Sequence, residues 1–205
     1  MSTHDGEQHE QHEQHEQHGH HLYTGLDNRK LGMWAFLGSE TMFFGCLILV
    51  MLINKHNTLG SHGQEMLDLA LTSFTTFVLL TSSLSMVLSL AAFRNGSVVW
   101  GRIWLGLVML MGIIFLGGQV YEFSEFVHHG LTPSTNLFGA SFFTLVGFHG
   151  AHVGIGVLWL GTVMLYSFRG RFRPGSDMWG IELVGLYWHF VDLVWVAIFT
   201  LIYLI

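Results

Sequence analysis

The chain has 205 residues, 51% of them hydrophobic and only 11% charged, with a mean hydropathy of +0.48. Soluble chains carry roughly 25% charged residues, so this one cannot clothe a water-soluble globule. Its formal net charge of −6 repels the phosphates that a nucleic-acid binder must neutralise. Cys46 is the single cysteine, which excludes an intrachain disulfide, a Cys-rich metal site and a CxxCH haem attachment.

Residues 1–28 read as a disordered cytoplasmic tail rich in His, Glu and Gln, with HEQHEQHEQH running from His9 to His18. The segment has no apolar run, so it is neither a signal peptide nor an anchor. Its seven histidines fit loose binding of a transition metal or a solvated acidic tail that titrates near neutrality.

Residues 29–205 read as one membrane domain. Five apolar runs, near Leu31–Ile53, Met66–Phe93, Ile103–Phe126, Leu137–Phe168 and Leu183–Ile205, are each long enough for a hydrocarbon core of about 30 Å. Period-two alternation is absent, so the expected fold is all-α, an integral membrane bundle of five transmembrane helices. Arg29, Lys30, Arg94, Arg102, Arg169, Arg171 and Arg173 fall on one side of the membrane and only Lys55 on the other. That asymmetry places the N terminus in the cytoplasm and the C terminus outside. In the fourth span Gly147/Ala151 and Gly150/Gly154 form small-xxx-small pairs, expected to let a neighbouring helix approach closely. Trp100, Trp104 and Trp179 sit near span ends as interfacial anchors. Trp188 and Trp195 lie deeper and are expected to pack against Asp192 or a neighbouring subunit.

The spans also hold groups that hydrocarbon disfavours. Glu40, Glu122, Glu125 and Asp192 are joined there by His149, His152 and His189. A charge at the bilayer centre costs roughly 2.5–3.5 kcal/mol on insertion scales, so these groups must face inward and find partners. Glu122/Glu125, His149/His152 and His189/Asp192 are each spaced i,i+3, on one face of a helix. The spacing by itself leaves three readings open: a metal or haem site, polar contacts between helices, and a proton relay through Glu40 or Glu122. The ExxH order of carboxylate di-iron bundles is absent. A transporter would need broken helices or an inverted repeat, and neither is found.

Four segments carry a resemblance. FLGSETMFF (36–44), QVYEFSEF (119–126), GFHGAHVGIG (147–156) and GLYWHFVDLVWVAIFTLIYL (185–204) are similar to signature segments of subunit III of haem–copper terminal oxidases, in its five-helix bacterial form. The resemblance implies an accessory subunit of the bacterial inner membrane, with no redox centre, no metal and no catalytic residue of its own. Haem and copper would belong to the partner subunits I and II. The chain would stabilise subunit I, bind phospholipid and support proton uptake during reduction of O2 to water.

Residue by residue, the resemblance makes Glu40 a membrane-buried acid open to carbodiimide reagents and Glu122/Glu125 the family's ExxE. His149, His152, His189 and Asp192 become polar contacts to lipid or between helices. Longer relatives carry a lipid-phosphate arginine where this chain has Tyr166; Arg169 stands one turn further on and can reach the headgroups. FLGSE and YWHFVD resemble cytochrome c oxidases more than quinol oxidases, so cytochrome c is the expected donor to the complex. A quinol-oxidase subunit III is the alternative. A nitric-oxide-reductase accessory protein and a stand-alone membrane metal or haem protein stand further off.

Overall fold

The computed structural model describes residues 28–58, 69–128, 137–169 and 178–204. The tail before Asn28 and residues 59–68, 129–136 and 170–177 of the longer connectors lie outside the described residues. By compactness the chain divides into Met1–Gly32 and Met33–Ile205. The described part of the first unit, residues 28–32, is helical.

Five α-helices account for nearly all of the described chain: α1 Asn28–Thr58, α2 Leu69–Arg94, α3 Val98–His128, α4 Leu137–Phe168 and α5 Trp179–Phe199. A π-helical turn, Thr200–Leu204, continues α5. All five are long and apolar enough to cross a membrane, and the chain is a multi-pass membrane protein. Helices are forced by the solvent, since hydrocarbon offers a backbone N–H or C=O no partner outside its own segment. No cis peptide interrupts the described residues, and Gly96 is the one described residue with a left-handed φ, at 76°.

Some helices run past the expected apolar limits. α1 continues beyond Ile53 to Thr58, α3 begins at Val98 rather than Ile103, and α5 begins at Trp179 rather than Leu183. Apolar patterning stops where the hydrocarbon stops, but the backbone ladder persists into the polar interface, where nothing opposes it. The α2–α3 connector is accordingly shorter than expected. Ser97 N–H donates to Ala92 O at 2.9 Å and Gly96 N–H to Phe93 O at 3.0 Å, closing α2 with a Schellman turn that needs Gly96 in its left-handed region.

The bundle is inverted relative to a soluble one. Outward positions carry Phe74, Phe77, Leu84, Leu158 and Leu193. The buried face of α2 is instead largely Thr72, Thr75, Thr76, Ser82, Ser85 and Ser89, with Leu79 and Met86 between. Lipid tails are as apolar as leucine, so burying leucine gains little here, and close packing with interhelical hydrogen bonds takes over. Trp188 and Trp195 are wholly buried. Their indole N–H groups donate to Ser82 Oγ and Thr76 Oγ1, each at 2.9 Å. They pack inside their own bundle, which corrects the expectation that they meet another subunit.

Glycine provides the space. A Cβ on Gly112 would lie 2.7 Å from the Trp188 ring, and one on Gly156 2.9 Å from it. The indole is therefore gripped between α3 and α4. Gly150 accommodates Gln119, whose Oε1 would be 2.5 Å from an added Cβ while Gln119 Nε2 donates to Val146 O at 2.7 Å. A Cβ on Gly147 or Gly154 would meet nothing within 4 Å, and Ala151 is exposed. Of the small residues expected to pack in α4, only Gly150 touches a neighbour so closely. A small-xxx-small spacing marks a possible face without saying whether a helix lies on it.

Candidate functional site

The ionisable residues of the spans resolve into three separate groups. The first joins α1 to α4. Glu40 Oε2 lies 3.2 Å from His152 Nε2, with both side chains largely buried. His152 Nδ1 meets the Phe148 carbonyl at 2.7 Å. A carbonyl can only accept, so Nδ1 carries a proton and Nε2 is left to face the carboxyl. One further proton is then shared, as carboxylate with imidazolium or as acid with neutral imidazole. The Tyr187 hydroxyl donates to His152 O at 3.0 Å, and the Phe44 ring stands edge-on to His152 at 5.0 Å.

His149, one turn earlier, has another fate. It is fully buried, stacked on Trp195 at 4.9 Å with Phe115 edge-on at 5.8 Å, and neither ring nitrogen has a hydrogen-bond partner. The spacing of His149 and His152 suggests a pair; the structure puts one in an aromatic cage and the other on a carboxylate.

The second group ties the end of α3 to α2 and the C-terminal π-turn. Glu122 Oε1 accepts from Thr72 Oγ1 at 3.0 Å and from the Tyr203 hydroxyl at 2.7 Å. Glu122 is buried, whereas Glu125 is exposed; a helix rotates about 100° per residue, so the two carboxylates of the ExxE pair stand in different surroundings.

The third group joins α5 to α2. Ser83 Oγ lies 2.5 Å from His189 Nδ1. Asp192, one turn on, is buried with both carboxyl oxygens unpartnered. Arg169 is exposed at the end of α4, its N–H bonded to Leu165 O at 3.2 Å. Nearby, Arg102 donates to Ser167 Oγ at 2.9 Å and Ser167 O at 2.6 Å, closing the C-terminus of α4 with a cation.

Among the described residues, no three His, Cys, Asp or Glu side chains gather as a metal site. His152 and His189 face Glu40 and Ser83 respectively. Sequence reasoning missed Thr72, Ser82, Ser83, Tyr187 and Tyr203, the partners of these groups. Hydropathy treats Ser and Thr as neutral; the signal available was their recurrence every three or four residues along α2.

Beside these groups, α1 and α5 diverge around an apolar groove of about 550 Å³. Trp34, Gly38, Thr41 and Gly45 line one wall and His189 and Phe190 belong to the other.

The chain is similar to known proteins. Residues 9–205 match the family model described as cytochrome c oxidase subunit III. The chain is 39% identical over 181 residues to cytochrome c oxidase subunit 3 of Bacillus sp. (strain PS3), covering 86% of each chain. It is 39% identical over 182 residues to the protein of the same name in Bacillus subtilis (strain 168), again covering 86% of each. Quinol oxidase subunit 3 of Bacillus subtilis (strain 168) is 36% identical over 175 residues, 85% of each chain.

Proposed function

We propose, from the premise that this chain belongs to the cytochrome c oxidase subunit III family, that it steadies the catalytic subunit of its oxidase and holds an exchangeable proton at Glu40. As subunit III of a haem–copper oxidase it is part of an oxidoreductase complex of the bacterial plasma membrane. The observation that carries the Glu40 reading is the 3.2 Å contact with His152. An isolated carboxylate in hydrocarbon is expensive; an imidazole that shares its proton lets the pair stay neutral overall while either partner exchanges.

The groove between α1 and α5 seats a phospholipid chain in this reading, because its lining is apolar apart from Thr41 and His189. Arg169 offers the headgroup a cation. The N terminus faces the cytoplasm, in accord with the basic residues. Subunits I and II are the partners, and phospholipid fills the contacts between helices. Replacing Glu40 by Ala in the whole oxidase tests the proton role: initial turnover should persist while the number of turnovers before inactivation falls. Undiminished endurance together with full proton pumping would remove Glu40 from proton supply.

Cytochrome c is the proposed electron donor, supported by 39% identity to subunits of that name. The quinol reading is kept alive by 36% identity to a quinol oxidase subunit. Oxidation of reduced cytochrome c, set against oxidation of a quinol by the same purified complex, separates the two.

A further inference from the structure

We propose that Tyr187 is the positioning residue of the Glu40–His152 pair, a clamp from α5 that grips the helix of each partner and holds the two side chains at proton-sharing distance; this role rests on the proton reading of Glu40 and adds a third residue to it. Glu40 belongs to α1 and His152 to α4, and their 3.2 Å separation stands at the long end of the hydrogen-bond range. A small drift of either helix therefore breaks the contact. α1 and α5 diverge around the groove, so side chains, not close backbone approach, hold α1 to α5 at this level.

Tyr187 meets both sides. Its hydroxyl donates to the His152 carbonyl at 3.0 Å, and its ring stacks on Phe36 of α1 with centroids 6.3 Å apart and planes 25° from parallel. Phe36 and Glu40 are one turn apart on α1, neighbours along one face. Phe36, Glu40, His152 and Tyr187 thus close a ring of contacts that links three helices. The clamp is itself fixed: Tyr187 is buried, its ring rests on Trp159 of α4 with centroids 5.6 Å apart, and a Cβ on Gly156 would lie 3.2 Å from its Cε1. Both ring contacts fall in the range of attractive aromatic pairs. The Tyr187 hydroxyl proton is committed to a backbone carbonyl, which can only accept, so Tyr187 orients the pair and does not pass its proton to Glu40. That carbonyl has a second lone pair and lies within α4, where the helical ladder supplies its own donor. Tyr187→Phe therefore orphans no buried acceptor and keeps the ring against Phe36, Trp159 and Gly156; it removes the hold on His152 alone.

The test is the rate at which dicyclohexylcarbodiimide modifies Glu40 in the assembled oxidase, followed by mass spectrometry. The reagent adds to a carboxyl oxygen and ends as an N-acylurea on Glu40; the oxygen held by His152 Nε2 is protected. Tyr187→Phe should raise the rate about threefold, the factor that a typical interhelical hydrogen bond in a membrane protein is worth. In a His152→Phe background, or His152→Leu should the first not assemble, Tyr187→Phe should leave the rate unchanged, because the contact through which it acts is gone. Phe36→Leu, which loosens the grip on α1, should repeat this pattern and stands in should Tyr187→Phe not assemble. A wild-type rate in Tyr187→Phe, or an equal increase with and without His152, would overturn the proposal; the second outcome would make Tyr187 a packing residue only. Labelling reads the geometry of the pair, whereas turnover endurance in Glu40→Ala reads its proton role, so the failure of one is told from the failure of the other.

Discussion

His152 reaches Glu40 across the α1–α4 interface with its Nε2 3.2 Å from the carboxyl oxygen, while its Nδ1 is committed to Phe148 O. The backbone bond fixes which nitrogen faces the acid, so α4 presents to α1 a single, oriented proton-sharing atom. Thermodynamic coupling across such a pair is modest in membranes, averaging about 0.6 kcal/mol and reaching about 1.7.

A double-mutant cycle on Glu40→Gln and His152→Phe should therefore return a coupling free energy in that range. Reversible unfolding of the assembled complex followed on this subunit reads it. Additive effects would mean the two side chains are neighbours without an energetic bond.

The glycine cradle of Trp188 predicts an asymmetry among glycines on the same helix. Gly156→Ala forces a methyl against an indole 2.9 Å away, and overpacking of this kind costs typically 1–3 kcal/mol. Gly154→Ala enters open space and should lie within about 0.5 kcal/mol of the parent. Thermal denaturation of the purified complex compares them, and equal midpoints for the two variants would show that Trp188 is not gripped.

Loss of the Tyr203 hydroxyl removes one of the two described donors to Glu122 Oε1. Tyr203→Phe should destabilise by about 0.6 kcal/mol and raise amide exchange in the C-terminal turn selectively. Unaltered exchange at Thr200–Leu204 would show that Tyr203 does not hold this turn.

Enlarging Gly45, which lines the α1–α5 groove and has open space around its Cβ position, should displace the seated chain. Gly45→Phe is expected to lower the phospholipid that co-purifies with the complex, measured as lipid phosphorus. An unchanged lipid content would argue that the chain sits elsewhere.

The metal and haem alternatives make a contrary forecast. The isolated chain should contain no stoichiometric iron and no haem Soret band, since Glu122, His149 and His152 stand in three different surroundings and no three metal-ligating side chains gather among the described residues. Metal analysis and absorption spectra decide it.

The sequence by itself determined the class of molecule. Scarce charge, most of it in tail and connectors, leaves no solvent but lipid, and lipid permits only backbone structures that satisfy themselves, so five helices follow from hydropathy alone. The four motifs determined the family for the same reason that the family is recognisable, since each places rare polar groups at fixed positions in an apolar span. Tertiary structure alone decided the pairings. Glu122 and Glu125 share a spacing but not an environment, and His149 and His152 likewise, because i,i+3 fixes a helical face only to within tens of degrees, while the partner is set by whichever side chain the next helix brings. Ser83, Thr72 and Tyr203 could not be weighed from hydropathy, since a hydroxyl is cheap to place in a helix and acquires meaning only through what lies opposite. Trp188 shows the same division: its depth in the span is legible, but only Gly112 of α3 and Gly156 of α4 standing against its ring make it an interior residue of its own bundle instead of a contact for another subunit.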